Sequence, residues 1–257
     1  MSEAIRDLGH GFWTIRGDLK IGGLLNVGTQ AGLVQLASGR FVVLDSYPLR
    51  GQVRDRVMAL TDGGRAVEAV LNLHPFHTLH CAATARDFPQ ARLYGTRRHW
   101  HQHRDLPWQA EPVDSDDVRA MFASDLHLTV PDGIDLACPN ERVHAGSVLA
   151  WHRRSGTLHV DDTINVMPVP RLLRRLVRNP RIFLHPTMPQ ALLPRPDAPE
   201  LFGRWVHHLA AQCSGLRWLC AAHSGLREFP AGQFATELAA AFRRMEPRLA
   251  RAAAARA

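Results

Sequence analysis

The sequence has no apolar run approaching the ~18 residues that would cross a bilayer as a helix, so no transmembrane span is expected. Its opening stretch, Met1 to Leu8, carries mixed charge and no apolar segment; a secretory signal is therefore not expected, and the expected location is cytoplasmic. Cysteine is scarce. Cys81, Cys138, Cys213 and Cys220 show none of the C-x-x-C spacing of zinc fingers or thioredoxin-like pairs, and reduced, packed thiols are expected. Lysine is nearly missing, the 31 Lys and Arg being almost all Arg. Internal repeats and low-complexity linkers are lacking too, so residues 1–257 read as one domain ending in a basic Ala/Arg helix tail from about 245 onward.

What is present is a globular composition, with 46% hydrophobic residues for a core and 21% charged residues, too few for wholesale disorder. The formal net charge is +7. That balance fits a small-molecule substrate of anionic character, and on charge alone also nucleic acid. A bias toward Arg, Ala and Leu, as in a GC-rich genome, accounts for the same excess, so a nucleic-acid partner is not expected. Oligomeric state is not legible. Histidine is the informative surplus: 15 are present, where average usage gives roughly six. That excess raises the expectation of a metal site.

Hydrophobic periodicity predicts strands at Phe12 to Arg16, Gly23 to Val27, Ala31 to Ala37 and Phe41 to Asp45, then a helix over Leu49 to Leu60 and a buried strand over Ala66 to Leu73. A helix over Cys81 to Arg86 and a strand at Arg92 to Tyr94 follow. Thr96 to His103 is helical or irregular, and Leu106 to Asp117 a loop. Further strands are expected at Leu126 to Val130, Ser147 to His152, Thr157 to Val160 and Leu216 to Ala222. Arg153 to Gly156 closes a hairpin. Helices are expected at Arg171 to Val177, Pro199 to Gln212 and Ala231 to Arg251. Two strand-rich halves, each with helices, suit a four-layer αββα sandwich.

Directly after the buried strand comes His74-Pro-Phe-His77-Thr-Leu-His80. Neutral imidazole is the commonest metal ligand, and histidines placed at the exit of a rigid strand can be aimed into one cleft. A regular helix would fan them around its axis, so a bend at Pro75 belongs to this reading. Farther along stand His144-Ala-Gly-Ser147 before a strand, Val160-Asp161-Asp162-Thr163 after the hairpin, and Ala222-His223-Ser224-Gly225 after the last strand.

In this order the motifs resemble the metallo-β-lactamase superfamily, whose pattern is H-x-H-x-D-H after a buried strand, a histidine before a Gly-Ser strand start, an acid after a hairpin, and a histidine before Gly. The resemblance covers about residues 12 to 230 and includes Val43-Leu-Asp45-Ser at the end of an early strand. It implies an α/β fold of the αββα kind, with His74, His77 and His144 around a first metal and His80 and His223 at a second. Asp162 would bridge the two, with Asp161 as the alternative, and Asp162 and His223 would serve in catalysis. The sequence departs from the pattern at two points: one extra residue separates the first two histidines, and Leu79 stands where the family has Asp.

His99-x-His101-x-His103 is a rival cluster, but Arg97, Arg98 and Arg104 beside it would repel a cation, so a surface or cleft-rim segment is expected. His10, His127, His152, His159, His185, His207 and His208 have no sequence partners and read as ordinary histidines. Cys81 and Cys220 flank candidate ligands but read as packed thiols. Arg171-Leu-Leu-Arg-Arg-Leu-Val-Arg178 is a basic amphipathic segment with apolar residues enough for a buried stripe.

The resulting expectation is a metal-dependent hydrolase with one or two zinc ions, in which metal-bound hydroxide attacks an ester, lactone, thioester or similar bond. Two alternatives stand beside it: a degenerate member acting as a non-catalytic binding or regulatory module, which Leu79 motivates, and an iron-dependent redox member, since the same ligands suit iron.

Overall fold

The computed structural model describes residues 4–17, 20–21, 25–26, 28–167, 181–223 and 225–256, and the chain divides into two compact units, Met1–Thr129 and Val130–Ala257.

In the first unit the strands are Ala4–Gly9 (β1), Phe12–Gly17 (β2), the short pair Lys20–Ile21 (β3) and Leu25–Asn26 (β4), Thr29–Gln35 (β5), Phe41–Leu44 (β6), Val67–Leu71 (β7), Arg92–Tyr94 (β8) and Leu126–Thr129 (β9). Six of them form one sheet in the order β1-β2-β5-β6-β7-β8. The first four run antiparallel. The chain then changes habit. β6, β7 and β8 are parallel, which obliges a crossover between each pair. Gly51–Leu60 (α1) and Cys81–Asp87 (α2) supply these crossovers. Helix α1 buries Val53 and Val57 against Ile15, Leu33, Val43 and Val70 of the sheet. β7 lies between two strands and buries Val67, Ala69, Val70 and Leu71, with Glu68 only partly buried. Arg97–Gln102 (α3) and Asp116–Phe122 (α4) complete the unit.

The sequence pattern misses three of these elements, β1, the two-residue β3 and α4. β1 is largely exposed and reads Ala-Ile-Arg-Asp-Leu-Gly, without apolar alternation. α4 is only seven residues long and begins inside the stretch expected as a loop; Ser115 accepts from the Val118 N–H, followed by Asp116 and Asp117 at the positive end of the helix dipole.

In the second unit, Leu149–His152 (β10) and Thr157–Val160 (β11) form the expected hairpin. β11 then pairs parallel with Trp218–Ala221 (β14), which pairs antiparallel with Gly225–Glu228 (β15). A separate two-stranded ladder joins Ile164–Val166 (β12) to Ile182–Leu184 (β13). β12, β13 and β15, three to four residues long, are not among the expected strands. Ala198–Gln212 (α5) and Gln233–Ala254 (α6) pack on one another, and Gly203 sets their approach: a Cβ there would meet the Phe242 ring at 2.9 Å. Phe202, Trp205, Leu209, Leu238 and Phe242 build a core with Trp151, Leu158 and Leu219 from the strands. The basic segment Arg171 to Arg178 and Ser224 lie outside the described residues. Among those described, no helix is long and apolar enough to cross a membrane.

Candidate metal centre

In parallel α/β sheets the carboxyl ends of the strands are where loops gather functional groups. β6 and β7 end side by side in the first unit, Asp45 after one and the histidine stretch after the other. The Asp45 N–H donates to the Leu71 carbonyl, and the Leu73 N–H donates back to Asp45 Oδ1 at 2.8 Å. Asp45 adopts a left-handed φ of 60° and is buried.

From there residues 75–80 turn rather than coil into a helix, as the Pro75 bend requires. His74 is fully buried, and its ring stacks on His77 with centroids 4.1 Å apart. The His77 N–H closes the turn on the His74 carbonyl at 3.0 Å. The Phe76 N–H donates to His74 Nδ1 at 3.1 Å. A backbone N–H can only donate, so the neutral His74 ring carries its proton on Nε2. Ligation through that nitrogen would move the proton to Nδ1 and cost this hydrogen bond. His80 stands at the N-cap of α2. Burial, then the positive Arg50, then His77 hold its pKa below the ordinary value, which keeps the imidazole neutral and its lone pair available. Leu79, beside it, is 70% exposed.

The rival histidines do not converge. His99, expected at a surface or rim, is fully buried: its Nδ1 accepts the Thr96 N–H at 3.1 Å in the capping box of α3, and burial pushes its pKa down to about 4. His101 is exposed, and His103 Nε2 meets the Thr78 carbonyl at 2.8 Å. His99 is a core residue because α3 begins at Arg97 and turns that ring against Trp108, at 5.6 Å between centroids.

In the second unit Asp162 is the focus. It follows β11, its side chain is only 4% exposed, and two imidazoles face its oxygens: His144 Nδ1 at 3.1 Å from Oδ2 and His223 Nε2 at 3.5 Å from Oδ1. His144 comes from the turn before β10, and His223 from the turn after β14. A carboxylate can only accept, so its contact with His144 places a proton on Nδ1 and leaves the Nε2 lone pair for another partner. Asn165 Nδ2 ties down the Asp162 carbonyl at 2.6 Å. Asp161 is buried next to it.

A third imidazole joins this group without any sequence signal: His185, whose ring lies 5.2 Å from that of His144. Burial lowers its pKa, Asp162 opposes this, and the like charges of His144 and His223 add to the lowering. It was missed because its link to Asp162 passes through the β12–β13 ladder. That ladder sets Ile164 opposite Leu184 and lets the His185 N–H bond the Thr163 carbonyl at 3.3 Å.

The donor set suits a borderline dication. Neutral imidazole nitrogens and a nearly buried carboxylate match zinc or ferrous iron, and a carboxylate removed from water needs a compensating charge. The thiols do not enter. Burial above all pushes Cys81 up to about 12, and burial likewise pushes Cys213 to about 12. At pH 8, a thiol-reactive chromophore should therefore label the half-buried Cys138 well before the three buried cysteines. Fast labelling of Cys81 would contradict this.

No family model and no curated protein matches the sequence. Solved structures do match. DIM-1 metallo-β-lactamase exposed to ceftazidime has a TM-score of 0.60 at 10% identity, covering 94% of this chain and 97% of that one. The chain has a metallo-β-lactamase-like fold. FIM-1 from Pseudomonas aeruginosa in its mono-zinc form scores 0.60 at 9% identity, over 96% of this chain and 97% of that one. A metallo-β-lactamase from Erythrobacter litoralis scores 0.60 at 12% identity, over 94% and 96%. At such identities the likeness speaks for the metallo-β-lactamase architecture, and the chemistry has to be argued from the side chains.

Proposed function

We propose that this protein is a metal-dependent hydrolase of small molecules. The ligands are His74, His77 and His144 at one ion, His80 and His223 at a second, and Asp162 shared by both. The observation that carries this reading is the nearly buried Asp162 carboxylate faced by His144 and His223, in a chain with a metallo-β-lactamase-like fold. Zinc is the ion favoured by imidazole and carboxylate donors, and the mono-zinc form of FIM-1 gives a precedent in the same fold. When bound, such an ion lowers the pKa of water toward ~7 and polarises a carbonyl, the chemistry needed to cleave an ester, lactone or thioester. The chain's own part is to keep His144 oriented through its Nδ1–H on Asp162 and to keep His80 neutral.

A binding or regulatory role has one specific observation in its favour: Leu79, exposed, offers no carboxylate beside His80. Elemental analysis joined to turnover decides among the readings. Purified protein should hold about one or two equivalents of zinc and cleave generic esters or lactones, with turnover abolished by chelator and restored by zinc. Zinc without turnover would favour the binding module, iron the redox alternative. A lack of stoichiometric metal, unchanged in His74→Ala and His144→Ala, would sink the proposal.

A further inference from the structure

The histidine run on α3 takes hold of the loop at 74–80. Arg98 with Gln102, and His99 with His103, are i, i+4 pairs on adjoining rows, so the four side chains share one face of α3 and its cap. His101 falls on the other side and is exposed.

Three consecutive loop residues meet the shared face. The Arg98 guanidinium lies over the Phe76 ring, 4.3 Å from its centroid. His99 touches the His77 carbonyl in a contact that falls short of full hydrogen-bond geometry. That contact runs from Nε2, because Nδ1 accepts the Thr96 N–H. Thr78 is held twice: its hydroxyl donates to Gln102 Oε1 at 2.7 Å, and its carbonyl accepts from His103 Nε2 at 2.8 Å. A carbonyl can only accept, so His103 carries a proton on Nε2. The grip falls where the loop holds itself least. His77 and Thr78 lie between the turns at 75–76 and 79–80, in neither of them. Thr78 accepts from the Cys81 N–H only at 3.4 Å, beyond the usual span of about 2.7–3.2 Å. The gripping residue is anchored in turn, since Trp108 Nε1 donates to the His103 carbonyl at 2.7 Å.

We infer that Gln102 and His103 are positioning residues for the histidine loop: they fix the Thr78 peptide and, through it, the angles at which His77 and His80 on either side present their rings. This rests on the hydrolase reading for what those rings hold. It gives the H-x-H-x-H run a role that needs no cation of its own, which Arg97, Arg98 and Arg104 would repel. Ligand rings need such support, because a site left loose by even ~1 Å loses its function.

The test uses the full-length protein, metal-free and zinc-loaded, with His103→Ala, His103→Gln, Gln102→Ala and, on the opposite side of α3, His101→Ala. His103→Gln keeps an N–H donor near the position of Nε2. In the metal-free wild type, nitrogen-15 spectra should show His103 protonated on Nε2. The Leu79 amide shares its peptide unit with the Thr78 carbonyl; its signal should shift in His103→Ala and return toward wild type in His103→Gln. Circular dichroism should not change, since the Trp108 bond goes to the backbone of residue 103. Zinc affinity, measured by competition with a chromophoric chelator, should fall about tenfold in His103→Ala, the lower end for outer partners of metal ligands, and recover to within about threefold in His103→Gln. Gln102→Ala, at an exposed position, should cost about threefold, the worth of one neutral hydrogen bond, and reads the grip even where His103→Ala does not fold. His101→Ala should leave the affinity unchanged. A His103 ring without the Nε2 proton, an unmoved Leu79 amide, unchanged zinc affinity in both His103→Ala and Gln102→Ala, or equal losses in the two His103 variants would overturn the inference. If the wild type takes up no zinc, the hydrolase reading fails on that result alone. The His103 tautomer and the Leu79 amide, both read without metal, then still decide whether α3 positions the loop.

Discussion

Asp162→Ala is expected to weaken zinc binding by more than about a hundredfold while leaving the fold intact. Outer partners of metal ligands account for roughly ten- to hundredfold in affinity, and a carboxylate proposed to serve two ions should exceed that range. Its loss also removes the acceptor that keeps the proton on His144 Nδ1, 3.1 Å away, so His144 would no longer be fixed with its Nε2 lone pair ready. The fold should survive because His144 and His223 are partly exposed and can be rehydrated once the carboxylate is gone. Asp162→Asn separates charge from shape, since an amide keeps the volume but neutralises nothing. Competition against a chromophoric chelator measures the affinity, and circular dichroism checks the fold. Zinc affinity within about twofold of wild type in both variants would remove Asp162 from the proposed ligand set.

The parts of this molecule that could be read from its sequence are those with a local signature. The buried strand β7 and the turn at Pro75 announce themselves as an apolar run and a histidine stretch. The β10–β11 hairpin is visible through its Arg153 to Gly156 turn. Features whose partners are distant in the chain were not legible. His185 reaches Asp162 only because β12 and β13, three residues each, lay their ends together. His99 looked like a surface histidine among arginines until α3 turned it inward. Arg244 and Arg248 of α6 and Arg256 just beyond it add to the basic count, but they are occupied with the carbonyls of Ile182, Pro186 and Gln190. A count sees composition, whereas carbonyl partners supplied by a loop some sixty residues away leave no periodic trace.

The second large effect lies behind the same segment. Arg227 on β15 has a side chain only 3% exposed and meets Glu237 of α6 through both terminal nitrogens, at 2.6 Å for Nη1 to Oε2. Its guanidinium also covers the Phe229 ring at 4.0 Å. Burial alone would raise the Glu237 carboxyl, but the hydrogen bond and charge of Arg227, with help from the Ile182 N–H and Gln233, hold it below its ordinary 4.5. Arg227→Leu leaves that carboxylate one-fifth exposed and without its cation, and breaking a buried pair in this way costs about 3–5 kcal/mol. The lower end applies because Glu237 keeps some water. At roughly 2–4 °C per kcal/mol for a chain of this size, the melting midpoint should fall by about 6–12 °C. Because the folded pKa is depressed, the Glu237 contribution is fully present above pH 4.5 and lost as pH falls through the folded value, so wild type and variant should converge in acid. Arg227→Leu combined with Glu237→Leu should recover much of the loss, since no buried charge is then left alone. Calorimetry at pH 7 and below pH 4 reads both effects, and a variant within about 1 °C of wild type at pH 7 would contradict them. Glu237 also accepts from the Ile182 N–H at the start of β13. The pair therefore braces the strand that ends just before His185.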